Sequence, residues 1–141
     1  MAIPARIGVG PEDRIDISVT CEDDVIDVSR QVSDFCKRRG LDAWRTYGAS
    51  LCMEEMAGNV VEHGFTKDKK KHSADIRVVH KDGEIILRIR DNCTAFDPAA
   101  YHKVMEMDER GKNVGIKLVY GMAKQVDYQN LLGMNVLTMR I

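Results

Sequence analysis

No two cysteines in this 141-residue chain have C-x-x-C spacing; Cys21, Cys36, Cys52 and Cys93 stand apart. That excludes the common zinc and dithiol frameworks and leaves thiols expected to be reduced, as in a cytosolic protein. The four histidines are scattered, and none forms an H-E-x-x-H helix pattern. No apolar run approaches the ~18 residues that a membrane-spanning helix needs. The opening MAIPARIGVGPEDR lacks a charged stretch followed by an apolar one, so no signal peptide is expected. Excess positive charge is missing too. The formal net charge is −1, which argues against bulk attraction to nucleic acid. There is no internal repeat. What remains is 44% hydrophobic and 30% charged, the balance of a soluble globular protein. The length suits one domain with a real core.

Residues 1–13 hold two of the three prolines and two glycines, and read as a loose arm before a domain spanning 14–141. Arg14 to Val19 alternates, with Ile15, Ile17 and Val19 on one side, as in a half-buried strand. Thr20 precedes Asp23 by three residues, a capping pattern for a helix that buries Val25, Val28, Val32 and Phe35 and ends at Gly40. Asp42 caps the next helix. The polar, basic FTKDKKKHS after Gly64 reads as a solvated turn. Ala74 to His80 and Glu84 to Arg90 alternate around Asp82-Gly83, a hairpin signal. A short helix from Pro98 and a polar linker follow. Val114 to Ala123 is an apolar helix, and Gln125 to Leu131, a turn at Leu132-Gly133 and Met134 to Ile141 close the chain as a hairpin. This order predicts an α+β, two-layer sandwich: a mostly antiparallel mixed sheet covered on one face by three helices.

One stretch carries chemistry. In LCMEEMAGNVVEHG, Glu55 and Asn59 lie one turn apart on one helix face, beside an apolar stripe of Ala49, Cys52, Met53, Met56 and Val60. Gly58 costs about 1 kcal/mol of helix stability relative to Ala, and a gap in side-chain cover beside Asn59 is one reason to accept it. Alone, the stretch reads first as an ordinary amphipathic helix with solvated Glu and Asn. Two other pieces supply partners. Asp91 follows a buried-looking strand, where an acid has no packing role. A Gly-Lys-Asn-Val-Gly run opens the helix at Val114. A helix N-terminus with a glycine nearby can hold phosphates. An amide oxygen can complete a magnesium octahedron with phosphates and waters. A buried carboxylate can accept from an exocyclic amine, and Glu55 stands one turn from the metal ligand, placed to deprotonate a hydroxyl.

These three segments resemble the motifs of the GHKL (Bergerat-fold) ATPase/kinase superfamily, with closest similarity to the bacterial anti-sigma factor serine kinases. The resemblance runs from Arg14 to Ile141. Glu55-Met-Ala-Gly-Asn59-Val-Val-Glu-His63-Gly64-Phe65 matches the first motif, Asp91-Asn92-Cys93-Thr94-Ala95-Phe96-Asp97-Pro98 the second, and Gly111 to Leu118 the glycine-bearing end of an ATP lid. The resemblance implies ATP and Mg2+ as cofactors, Glu55 as catalytic base and Asn59 as the metal ligand. It implies nucleotide contacts from Asn59, Asp91, Asn92, Ala95, Phe96, Lys112, Asn113, Val114, Gly115, Ile116 and Asn135, with residues 99–114 as the lid. It also implies a cytoplasmic partner resembling an anti-sigma-factor antagonist, a sigma factor as a second partner, and a homodimer, with no membrane or direct nucleic-acid role.

The chain departs from the pattern at three places. Cys93 stands where glycine is usual and is expected either to crowd the adenine or to be tolerated by its backbone angles. Lys112-Asn113-Val114 replaces glycine before Gly115, with Lys112 available to a phosphate. Gly133-Met134-Asn135 replaces a Gly-Thr-Thr ending, so Asn135 must supply the hydroxyl contact or it is lost. The alternative reading is therefore a non-catalytic protein-binding module of the same fold with a weakened nucleotide site.

Overall fold

The computed structural model describes residues 10–65, 71–95, 97–98 and 114–141. Apart from the short helix expected from Pro98, which runs outside the described residues, the expected order of elements is found. Strand β1 is Arg14–Val19, followed by helices α1 (Asp23–Arg38) and α2 (Ala43–Val60) and a π-helical turn at Val61–Phe65. Strands β2 (Ala74–Lys81) and β3 (Glu84–Asp91) form a hairpin. Helix α3 (Val114–Met122) precedes the closing hairpin of β4 (Gln125–Leu131) and β5 (Met134–Arg140). The five strands lie in the order β1-β2-β3-β5-β4. All four pairings are antiparallel, so the expected mostly antiparallel sheet holds, with no parallel pair among the described residues.

Alternation decides which sheet face meets the helices. Val19, Ile76, Val78, Leu87, Ile89, Leu137 and Met139 point inward, and α1 adds Val28, Val32 and Phe35. Helix α2 sits between α1 and α3 and is buried on several sides, through Thr46, Ala49, Cys52, Met53, Met56 and Ala57. Gly48 lets α3 approach, because a Cβ there would stand 3.2 Å from Met122 Cε. Cys36 and Cys52 are core residues, and burial pushes each thiol up to about 11. No disulfide joins any of the four cysteines.

The helix ends follow local chemistry. Asp42 Oδ1 accepts from Arg45 N at 2.8 Å, as expected of a cap. Gly40, at φ 76°, closes α1: its N–H donates to Lys37 O, and Leu41 N donates to Cys36 O. At the other end of α1 the expected Thr20–Asp23 cap is replaced. Asp24 reaches back instead and accepts from Thr20 N at 2.9 Å and from Cys21 N at 3.3 Å. The motif is one residue longer because Glu22 is already helical. Of the expected arm, residues 1–9 lie outside the described residues, whereas Pro11–Asp13 makes a 3-10 turn with Asp13 Oδ1 2.5 Å from the Arg39 guanidinium. The expected lid and most of the basic turn after Phe65 also lie outside the described residues.

Both hairpins turn through two residues of positive φ, Asp82-Gly83 and Leu132-Gly133. Leucine is a poor occupant of that region, and Leu132 touches nothing that would compensate, being fully exposed at 104%. Leu132→Asn is expected to stabilise the protein by roughly 0.5–1 kcal/mol, measured as a higher melting temperature with nucleotide binding unaltered.

Candidate functional site

A cleft opens where the end of α2 faces the end of β3 and the start of β5. Asn59, Asp91 and Asn135 all line it, with Met56, Val60 and Leu137 among the apolar walls.

The inward register of β3, Ile85-Leu87-Ile89, continues to its last residue and so places the Asp91 carboxylate at the rim of the core, only 5% exposed. Its Oδ1 accepts from Cys93 N at 3.0 Å and from Asn135 Nδ2 at 2.8 Å. Its Oδ2 has no hydrogen-bond partner among the described residues, which leaves one carboxylate oxygen for a ligand N–H. Asn135 is opposite Asp91 in the β3–β5 register and 4% exposed. Its Nδ2 also donates to Cys93 O at 3.0 Å and Thr94 O at 3.3 Å, and its Oδ1 accepts from Tyr128 OH and from Asn130 Nδ2. The amide is saturated by protein, so Asn135 fastens the 91–94 turn and its polar atoms face the wall. Tyr128 was not singled out by the sequence, although its inward position in the alternation of β4 was a usable signal.

Cys93 is coupled to Gly64. No positive φ explains the glycine; space does. A Cβ at position 64 would lie 2.7 Å from Cys93 Sγ. The side chain that replaces the usual glycine is thus turned toward the first motif, on a backbone free of left-handed strain, while still lining the cleft. Gly64→Ala is expected to cost about 1–3 kcal/mol by overpacking, and Cys93→Gly in the same chain is expected to restore most of it. Chemical denaturation of the three variants measures this; equal stability with and without the second change would show that the two residues do not compete for space.

Glu55 and Asn59 share one face of α2, and both line a second groove, between α1 and α2, that meets the cleft at Asn59. Gly58 leaves room there, with only Val25 Cγ1, at 4.0 Å, near its would-be Cβ. The Glu55 carboxylate lies against Gly115, the second residue of α3: a Cβ on Gly115 would be 2.6 Å from Glu55 Cδ and closer still to Oε2. The helix mouth and the acid therefore meet. Burial, and then the neighbouring Glu54, raise the pKa of Glu55 above the usual carboxylate value. Asn59 Nδ2 makes only a 3.9 Å contact with Met56 Sδ, and its Oδ1 has no partner among the described residues.

The remaining predicted residues separate. Asn92 is exposed and points away from the cleft, its Oδ1 3.3 Å from His72 Nδ1 and 3.4 Å from Ser73 N. Ala95 is exposed. Val114 opens α3, and Ile116 anchors that helix in the core. Phe96, Lys112 and Asn113 lie outside the described residues. Among the described residues no three His, Cys, Asp or Glu side chains gather as a metal cage. The donor set fits a magnesium ion held by one amide oxygen, phosphates and waters, and it does not fit a metal held by protein alone.

No curated protein matches the chain. Several solved structures share the fold, among them two that differ widely in sequence. One contains the RsbU and RsbW domains of a Mycobacterium tuberculosis protein, with a TM-score of 0.62 and 15% identity over 89% of this chain and 32% of that one. The other is the histidine kinase domain of a blue-light activated histidine kinase from Erythrobacter litoralis, with a TM-score of 0.54 and 9% identity over 83% of this chain and 64% of that one. This chain thus spans about a third of the first structure's length and under two thirds of the second's. The family model for the histidine kinase-like ATPase domain matches residues 4–141, so the chain belongs to the histidine kinase-like ATPase family, within the GHKL superfamily.

Proposed function

We propose that this domain is a Mg-ATP-dependent protein serine kinase of the anti-sigma regulator type, acting in the cytoplasm on a small regulatory protein resembling an anti-sigma-factor antagonist. Sequestration of a sigma factor and assembly as a homodimer belong to the same reading, by analogy with the family. The observation that carries it is the meeting of three separated segments: Asn59 and Asp91 on one cleft, and Glu55 against the mouth of α3. Of the departures behind the non-catalytic alternative, Cys93 turns toward Gly64, which supports the catalytic reading, while Asn113 lies outside the described residues.

In this mechanism Asp91 Oδ2 accepts from the exocyclic amine of adenine, while Asn135 and the Cys93 amide hold its other oxygen fixed. Asn59 offers its Oδ1 to magnesium, which when bound neutralises phosphate charge and orients the γ-phosphoryl group. The first turn of α3, opened by Val114-Gly115, presents backbone N–H groups to phosphate oxygens. Glu55 takes the proton of the partner's serine hydroxyl as its oxygen bonds to the γ-phosphorus. The bond to the β-phosphate oxygen breaks and ADP leaves. The raised pKa makes Glu55 a stronger base than an ordinary carboxylate, at the cost of being harder to keep charged.

The test is a thermal-shift titration with Mg-ATP and Mg-ADP, followed by phosphoryl transfer to serine-bearing partner candidates. Both nucleotides are expected to raise the melting temperature, by about 2.7 kcal/mol of stabilisation at a hundredfold excess over Kd. No shift at millimolar Mg-ATP would sink the proposal. A shift without transfer to any partner would favour the binding-module alternative.

A further inference from the structure

The sheet face turned away from the helices carries charges that the nucleotide site does not use. Asp16 and Ser18 of β1, Asp75 and Arg77 of β2, and Arg88 and Arg90 of β3 line one shallow groove on it. Arg77 stands directly across from Arg88 in the β2–β3 register, and like charges placed so destabilise a sheet. Two of the three guanidinium groups have carboxylates. Arg77 Nε donates to Asp16 Oδ1 at 2.7 Å, and Arg90 donates to Asp75 Oδ2 at 3.2 Å. Arg88 has no carboxylate among the described residues, and its Nε–H is buried without an acceptor. Burial first, then Arg77 and Arg90, push its pKa below the ordinary arginine value.

Asp16 and Asp75 offset part of its charge from a distance, but a buried donor that lacks an acceptor still calls for an anion. The surroundings decide which kind. Asp16 and Asp75 flank the gap, and Asp127 lies on the same face, opposite Thr138, which itself stands opposite Arg88. A polyanion such as nucleic acid or an acidic lipid surface would meet these carboxylates and be repelled. Asp16 is already held by Arg14 and Arg77 and Asp75 by Arg90, so a single negative group is what the pattern still lacks. We propose that this open sheet face docks a protein partner through one carboxylate side chain seated on Arg88.

The test uses the whole chain, with arginine Nε labelled for NMR, and a capped Lys-Ser-Glu-Ser-Lys peptide beside its Gln counterpart, at low salt. The Glu peptide is expected to shift the Arg88 Nε–H resonance, and the Gln peptide to bind about tenfold more weakly, as loss of a charge-assisted hydrogen bond implies. Arg88→Lys keeps the charge and loses the fork, and is expected to weaken the Glu peptide. Arg88→Met keeps the aliphatic stem and is expected to abolish the Glu/Gln difference. The two-peptide comparison on the native protein stands even where a variant fails to fold. Equal binding of the peptides, or binding of neither at millimolar concentration, would overturn the proposal. So would tighter binding of a short DNA duplex or of inorganic phosphate, or a self-association lost in Arg88→Met, which would make the occupant a second copy of this chain.

Discussion

Glu55→Gln is expected to slow phosphoryl transfer to a serine partner by about 10²–10⁴-fold, the usual contribution of a positioned general base. The nucleotide-dependent rise in melting temperature is expected to survive. Gln keeps the size and the packing against Gly115 and removes only the proton acceptor. The stability consequence has the opposite sign. Burial, then Glu54, raise the folded-state pKa of Glu55. A carboxyl raised in this way favours folding while protonated, and that contribution is lost as pH rises through the folded pKa. Above its folded pKa the native protein therefore holds Glu55 as an unfavourable charge. The Gln variant is expected to melt at or above the native temperature at pH 7, with the advantage vanishing below the ordinary carboxylate pKa. Native activity runs the other way, falling on acidification at a higher pH than an unperturbed carboxylate would give. Full activity in Glu55→Gln would remove this residue from the chemistry.

For Asp91→Asn the expected result is Mg-ATP binding weakened by about 10–100-fold, matching the ~1.5–3 kcal/mol of a hydrogen bond to a charged group. The geometry leaves the amide no good orientation. If its oxygen keeps the bonds from Cys93 N and Asn135 Nδ2, its NH2 points into the cleft and meets the adenine amine, donor to donor. If it flips, the NH2 meets those two donors instead. The first orientation offers a donor where a guanine carbonyl would sit. Preference for GTP over ATP is therefore expected to rise in the variant, even as overall affinity falls. Calorimetric titration with both nucleotides reads the two effects separately. Unchanged ATP affinity would mean that Asp91 does not face the base.

Much of this arrangement was legible in the residues themselves. The turns at Asp82-Gly83 and Leu132-Gly133 fixed where the strands reverse, and alternation fixed their inward faces. Gly40 and Asp42 marked helix ends because each answers a local backbone need. Reading failed where an outcome depends on residues far apart in sequence. Gly64 and Cys93 share one space, which neither local pattern records. Asn135 is expected beside the ligand and does line the cleft, but its hold on β3 and β4, which engages its polar atoms, is not recorded in the local pattern. Asn92 was grouped with Asp91, yet adjacent residues leaving a strand point to opposite sides, and alternation already held that information. Thr20 was paired with Asp23 because the spacing fits, but the helical start at Glu22 moved the contact to Asp24.

Strand β5 lies between β3 and β4, although it is the last strand in the sequence. The amide that steadies Asp91 is thus delivered 44 residues later than the acid itself. During synthesis, a chain that has not yet emerged past Asn135 lacks both that amide and the strand that joins β4 to β3. The cleft is then assembled in one late step, when β5 slots between its neighbours, so ligand capture doubles as a report that this sheet is closed.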